Sequence, residues 1–217
     1  MARPASDIGP RIVHAARERF LHEGVDGASL RNIAKDAGTN IGMVYYYFKT
    51  KDELFLAVVE ETYSKVLADI THTLGQDASP EQRIAQLYQR VAALSEDEFK
   101  VIRLILREAL VSSTRLSGVL RRFQSGHIPI VLELVQEGAR EGTLRDDLHP
   151  VALVAPMFLL GLLPQVLRRQ LAQTDLPFAA LLPSASTVAA TMLKVLLGGI
   201  GSPNTRPAAA GGKLPQS

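Results

Sequence analysis

Cysteine is absent from this chain of 217 residues, which excludes a disulfide scaffold, a zinc–thiolate site, an iron–sulfur cluster and a thiol nucleophile. A chain without disulfides suits a reducing compartment, so a cytoplasmic location is expected. Net charge is small, +2 at neutral pH. A protein that coats DNA without regard to sequence would need far more positive charge, because such binding rests on phosphate neutralisation. Residues Met1–Gly9 contain no apolar stretch of the kind a secretory signal needs. The apolar run Val151–Leu167 is short for a bilayer span of about 20 residues and is interrupted by Pro156 and Pro164. A buried helix or a subunit interface is the better reading, with no membrane partner. His14, His22, His72, His127 and His149 lack the i, i+4 spacing of a helical zinc site. No glycine-rich phosphate loop, nucleophile elbow or dinucleotide fingerprint occurs. No catalytic residue, metal or cofactor is therefore expected, and an enzyme with an unrecognised site is the remote alternative.

What is present is apolar, helical and unevenly charged. Hydrophobic residues make up 47% of the chain and charged residues 21%, enough for one large or two small globular domains. Residues 1–51 hold eight Lys/Arg against five Asp/Glu, whereas the remainder hold sixteen against seventeen. The basic surplus thus sits at the N-terminal end, where a polyanion partner is hinted. Apolar residues recur with helical period almost throughout, which predicts an all-α fold.

The spacing of Ile12, Ala16 and Phe20 predicts a helix over about 10–23 that stops at Gly24. Ser29 is placed to cap a second helix ending near Gly38, and Asn40 a third, very short one through about Tyr46. Thr50 and Glu53 predict a capping box for a long fourth helix with the apolar stripe Leu54, Phe55, Val58, Val59, Val66, Leu67 and Ile70. Ser79–Gln82 and Ser95–Glu98 predict two more capping boxes. Leu116–Glu141 is expected to be helical with a break between Gly126 and Pro129, followed by a charged turn at Arg145–Asp147. Two helices, roughly Pro150–Gln170 and Ser184–Leu197, are apolar nearly all round. Residues 201–217 are rich in Gly and Pro and are expected to form a disordered tail.

The segment Ser29–Phe48, SLRNIAKDAGTNIGMVYYYF, reads as a helix, a turn at Gly38 and a second short helix, that is, a helix-turn-helix. The short helix offers only Val44 and Phe48 as core anchors. Its other apolar and aromatic residues, Ile41, Met43, Tyr45, Tyr46 and Tyr47, have no reason to be so if they face only water. Gly42 in its first turn costs roughly 1 kcal/mol of helix propensity, which suits close approach of a phosphate.

These residues carry a family resemblance. Ile12-Val13-x-Ala15-Ala16, Phe20, Gly24, Ser29-x-Arg31-x-Ile33-Ala34, Ala37-Gly38, Gly42, Tyr45-x-Tyr47-Phe48, Lys51 and Leu54 resemble the DNA-binding domain of TetR-family transcriptional regulators over about residues 8–68. The family usually carries a small β-branched residue and then serine after the turn glycine, where this chain has Thr39 and Asn40. Where the family often has Thr and His in the reading helix, this chain has Met43 and Tyr46, so no base preference carries over.

With that resemblance as guide, DNA contacts are expected from Ser29, Arg31, Thr39, Asn40, Ile41, Gly42, Met43, Tyr45, Tyr46, Tyr47 and Lys51. Ser29 would touch a phosphate or serve purely as a cap. Arg31 would reach a phosphate or the O6 and N7 edge of guanine, or simply be solvated. Tyr45 and Tyr47 resemble the family's phosphate-binding tyrosines, although one ring, Tyr47 first, could instead belong to the core. Ile41, Met43 and Tyr46 would meet thymine methyls and a base edge. Lys51 would neutralise a phosphate at the positive end of the fourth helix. Phosphate contacts set register and affinity, whereas base contacts specify sequence.

For residues 78–200 the resemblance implies a helical regulatory and dimerisation domain, joined to the DNA-binding domain by the long fourth helix. The last two helices need more covering than one small domain supplies, and pairing with their copies in a homodimer meets that need. Arg103, Arg107, Glu108, His127, Met157, Phe158 and Gln165 are candidates to line a pocket for a small, largely apolar effector, each with an ordinary core or surface role as the alternative. The reading that follows is a homodimeric repressor released by that effector from a pseudo-palindromic operator in double-stranded DNA. An activator or a ligand-blind regulator would use the same DNA module.

Overall fold

A computed structural model describes residues 7–75 and 77–200, and the expected tail at 201–217 lies outside them. Among the described residues there are ten α-helices and no strand. They are α1 (Ile8–Gly27), α2 (Leu30–Asp36), α3 (Ile41–Tyr47), α4 (Lys51–Leu74), α5 (Pro80–Ala92), α6 (Glu96–Val111), α7 (Ser113–Gln124), α8 (His127–Arg140), α9 (Pro150–Leu171) and α10 (Ala185–Ile200), with a short 3₁₀ helix at Pro177–Leu181.

The expected start and stop signals act as their chemistry dictates. Gly24, with φ 76° and ψ 167°, breaks α1 where the sequence predicts its end, and one further turn follows to Gly27. Ser79 with Gln82 and Ser95 with Glu98 form complete capping boxes. At α4 the arrangement is shifted. The Glu53 N–H donates to Thr50 Oγ1, but the Glu53 carboxylate accepts from the N–H of Lys49 rather than from that of Thr50. Between α7 and α8 the chain turns at Ser125 and Gly126, and Pro129 sits inside the first turn of α8, where its missing N–H has no intrahelical partner to lose. Gly142, at φ 72°, terminates α8 and lets the N–H groups of Thr143 and Leu144 return to the Gly138 carbonyl.

The helices gather into two compact units. The first comprises residues up to Asp69 together with Leu94–His127, so α6 and α7 pack with α1–α4. Its core is Ile12, Ala16, Phe20, Val25, Ile33, Val44, Leu54, Phe55, Val58 and Val59, all fully buried, with Leu104 of α6 and Val119 of α7 inserted among them. The buried residues of α1, Ile12, Ala15, Ala16 and Phe20, recur at three- and four-residue intervals and so form one stripe.

The second unit comprises Ile70–Ala93 and the chain from Ile128 onward. Here α10 packs on α5 and α9. Tyr88 of α5 is buried and donates its hydroxyl to the Met157 carbonyl of α9 at 2.9 Å. Its ring lies against Gly161, one turn further along α9. Arg83 closes the end of α4 by donating to the Leu74 carbonyl at 3.0 Å, and it pairs with Glu137 of α8. By length and composition alone α9 could cross a bilayer, yet it is seated against α5 and α10 within this unit.

Candidate nucleic-acid interface

The helix-turn-helix is held from α1. The Arg11 guanidinium donates to the carbonyls of Ala37 and Gly38, the latter at 2.9 Å. Arg19, two turns along the same helix, donates to Asp36 at 2.7 Å and to Glu23 at 2.7 Å. The Arg19 contact holds the Asp36 carboxyl below its ordinary range. Both arginines thus bind the C-terminal end of α2, where orphan carbonyls concentrate negative potential. The turn itself needs φ +62° at Gly38, and a side chain there would also crowd Arg11. The sequence pattern gave no sign of these two arginines, because long-range bonds to backbone carbonyls leave no periodic trace.

From that turn α3 projects with little buried. Val44 is its one buried residue, and Phe48 beyond it is half-buried. Asn40 caps the helix as expected, its Oδ1 accepting from the Met43 N–H at 3.0 Å. A Cβ at Gly42 would stand 3.1 Å from that oxygen, so glycine also keeps the cap unobstructed. Tyr45 is 53% exposed, Tyr46 78% and Tyr47 38%. Tyr47 is the most covered of the three. Its ring meets that of Tyr46 edge-on, and a Cβ at Gly9 of α1 would lie 3.3 Å from its carbons. Ile41 and Met43 are half-exposed, and Arg31 and Asn40 are exposed.

Two expected contacts carry additional detail. Ser29 occupies the N-cap position of α2, but its hydroxyl makes no capping bond. Lys51 donates its ammonium to the Asp26 carbonyl at 2.9 Å, which leaves two N–H donors for an anion. Thr39 is half-exposed in the turn. Asn40, Tyr45 and Tyr46 present polar groups on and at the start of α3, while Ser29 and Arg31 lie at the start of α2, Thr39 in the turn and Lys51 at the start of α4. Exposed tyrosines beside Lys and Arg are groups that donate to phosphate oxygens and stack or bond at base edges. Among the described residues no three His, Asp or Glu side chains are grouped so as to hold a metal ion.

The candidates for an effector pocket fall in both units. In the first unit, Arg103 is exposed. Arg107 donates to the Phe20 carbonyl at 2.6 Å and to Glu108 at 3.2 Å. Glu108, 3% exposed, accepts from the Val25 N–H and from Arg115. His127 is buried with Tyr63 and Phe123. Its Nδ1 lies 2.7 Å from the Tyr63 hydroxyl, which also accepts the His127 backbone N–H at 3.1 Å. Burial pushes the His127 imidazole down to about 4 and raises the Tyr63 hydroxyl above its ordinary value. In the second unit Met157 is buried and Phe158 half-buried. Gln165 is buried, donates to the Ala185 carbonyl at 2.8 Å, and leaves Oε1 without a hydrogen-bond partner among the described residues. An open groove of about 560 Å³ runs beside α1 and α4 in the first unit, lined by Pro10, Val13, Leu56, Ala57 and three glutamates, and none of these candidates lines it.

Comparison with known proteins decides what this constellation belongs to. The family model for bacterial regulatory proteins of the tetR family matches residues 12–58. TtgW of Pseudomonas putida, an HTH-type transcriptional regulator, is 33% identical over 101 residues, which cover 46% of this chain and 75% of TtgW. The chain belongs to the TetR family. As a TetR-family member it is a DNA-binding transcriptional regulator and not an enzyme. PksA of Bacillus subtilis, another HTH-type transcriptional regulator, is 31% identical over 90 residues, so the matched stretch spans 42% of this chain and 44% of PksA. The TetR-family fold extends beyond the matched sequence. The crystal structure of FadR from Bacillus subtilis in complex with stearoyl-CoA superposes with a TM-score of 0.71 at 18% identity, over 88% of this chain and 98% of FadR.

Proposed function

We propose that this TetR-family regulator is a homodimeric, cytoplasmic repressor, released from a pseudo-palindromic operator by a small, largely apolar effector. The observation that carries the DNA-reading part is α3 itself. It is a seven-residue helix with one buried side chain, a dedicated cap, and three tyrosines facing outward. Ser29, Arg31, Tyr45, Tyr47 and Lys51 supply phosphate contacts, while Ile41, Met43 and Tyr46 meet base edges, with Thr39, Asn40 and Gly42 at the approach to the helix.

Dimerisation is supported by the second unit. Val151, Leu159, Leu163 and Leu167 of α9 are exposed at intervals of eight and four residues, so they form one apolar stripe. Val195 of α10 is exposed as well. A two-fold copy of α9 and α10 would cover these residues. It would also present two reading helices to half-sites about 10 base pairs apart or a multiple of that. The apolar character of α9 and α10 favours an effector with a long hydrocarbon part, and the complex of FadR with stearoyl-CoA supports the same class. The pocket residues proposed are Met157, Phe158 and Gln165 of the second unit, where Gln165 is buried with its Oε1 unpartnered among the described residues.

The test is displacement. A labelled duplex carrying the chain's selected binding motif is titrated with protein in the presence of fatty acids, acyl-CoA thioesters or sterols. Release requires an effector that binds the free protein better than the DNA-bound one, a coupling typically of about 1–3 kcal/mol. Two protomers per duplex with displacement by one of these classes is the expected result. One protomer per duplex refutes the dimer, and equal effector affinity for free and DNA-bound protein refutes release.

A further inference from the structure

Three carboxylates from three helices, Asp26, Asp52 and Glu108, meet at one guanidinium in the first unit. Arg115, in the first turn of α7, has a side chain only 7% exposed. Its Nε donates to Asp52 at 2.8 Å, and its Nη1 to Glu108 at 2.6 Å and Asp26 at 3.2 Å. Its Nη2 donates to the other Asp26 oxygen, making that pair bidentate. The other Glu108 oxygen accepts the Val25 N–H at 3.2 Å. Lys51 adds a bond to the Asp26 carbonyl.

The placement of the two aspartates matters. Asp26 lies just before α2, and Asp52 lies in the first turn of α4, just after α3. Chain entry to the helix-turn-helix and chain exit from it are therefore tied to the same planar group. That group belongs to a helix outside residues 12–58, the segment by which the family is recognised. We propose that Arg115 is a positioning residue for DNA reading: it fixes the two ends of the helix-turn-helix, and hence the attitude of α3, from α7. The cluster is buried at Arg115 and Glu108 and opens to solvent at Asp26, 69% exposed, and Asp52; such ion pairs contribute little net stability, and the best-attested use of a buried one is to enforce one arrangement. The flat, forked donor set of arginine suits that use, since three carboxylates are met in fixed directions. Lysine would supply the charge without the fork.

The inference rests on the reading of α3 as the DNA-contacting helix, and its test has one arm without DNA. In the full chain, Arg115→Lys and Asp52→Asn are compared with wild type by amide hydrogen exchange. Amides of α2 and α3 are expected to exchange about tenfold faster in Arg115→Lys, with Val101–Leu104 of α6 unchanged. Asp52→Asn removes a partner that is 37% exposed. It is expected to give the same pattern more weakly, and it carries the test should Arg115→Lys fold poorly. In the second arm, affinity for the selected duplex divided by that for a scrambled duplex should fall about tenfold, with the scrambled affinity unaltered. A purely structural role would lower both affinities together. Exchange that rises uniformly through the first unit, or not at all, overturns the inference. A wild-type chain that discriminates no sequence overturns the functional reading along with it.

Discussion

Replacing the cap of α3 should separate the stability of the reading helix from its affinity for DNA. The helix has seven residues and one buried side chain, Val44, too few to hold itself. The Asn40 side chain satisfies the Met43 N–H, one of the four donors a helix start leaves orphaned. Asn40→Ala removes that acceptor at a cost of about 1 kcal/mol. For a unit of roughly 100 residues this lowers the melting temperature by roughly 4–8 °C. Asn40→Asp keeps an acceptor of equal quality and adds a negative charge at the helix N-terminus, a gain of about 0.3–1 kcal/mol. That same charge faces an approaching phosphate. Thermal melting and fluorescence anisotropy on a selected duplex should therefore move together in Asn40→Ala, both falling, and in opposite directions in Asn40→Asp. An Asn40→Asp protein that binds as well as wild type would refute the placement of phosphate at the start of α3. An Asn40→Ala protein with unchanged melting and unchanged Met43 amide exchange would refute the capping argument.

Three further outcomes follow from the same geometry. Tyr45→Phe and Lys51→Ala should each weaken binding to all duplexes, but the slope of log affinity against log salt should fall by about 0.9 for Lys51→Ala and stay unchanged for Tyr45→Phe, where no charge is lost; slopes from titrations at four salt concentrations check this. Burial lowers His127 from its ordinary value of 6.5 to about 4, so the unfolded chain binds that proton more readily. The contribution is complete above pH 6.5 and is lost as pH falls toward 4, about 3 kcal/mol in all. Denaturant melts between pH 7 and pH 4 should show this loss in wild type and not in His127→Gln; the same pH dependence in both proteins would refute the assignment to this imidazole. Gly126→Ala would drive a methyl into the Tyr63 hydroxyl, which bonds His127 twice; a loss of about 1–3 kcal/mol is expected, read from the same melts.

Much of the first unit was legible because its signals are local. Gly24, Asn40 and Ser95 act within three or four residues of themselves, and the stripe through Ile12, Ala16 and Phe20 faces the core as its period requires. The break between α7 and α8 was legible for the same reason. What could not be read was which stripe packs against which. Helical period alone gives no warning that Leu104 of α6 and Val119 of α7 enter the core formed by α1 and α4. Glu108 illustrates the consequence for the site. Glu108 was a candidate ligand contact on local pattern alone; besides its neighbour Arg107 its partners are Val25, 83 positions away, and Arg115. The outward-facing residues of α3 were found because exposed tyrosines on a short helix conflict with solvation. Arg11 and Arg19 were missed because arginine on an exposed helix conflicts with nothing.

The central claim, that α3 reads a specific operator as part of a two-fold pair, is tested most directly by selection. Purified full-length protein is incubated with fragmented DNA from its own source, and the bound fragments are sequenced. Enrichment of a single inverted-repeat motif is the predicted result, and the genes flanking it would direct the choice of effectors. Bound fragments indistinguishable in sequence from the input would contradict the account.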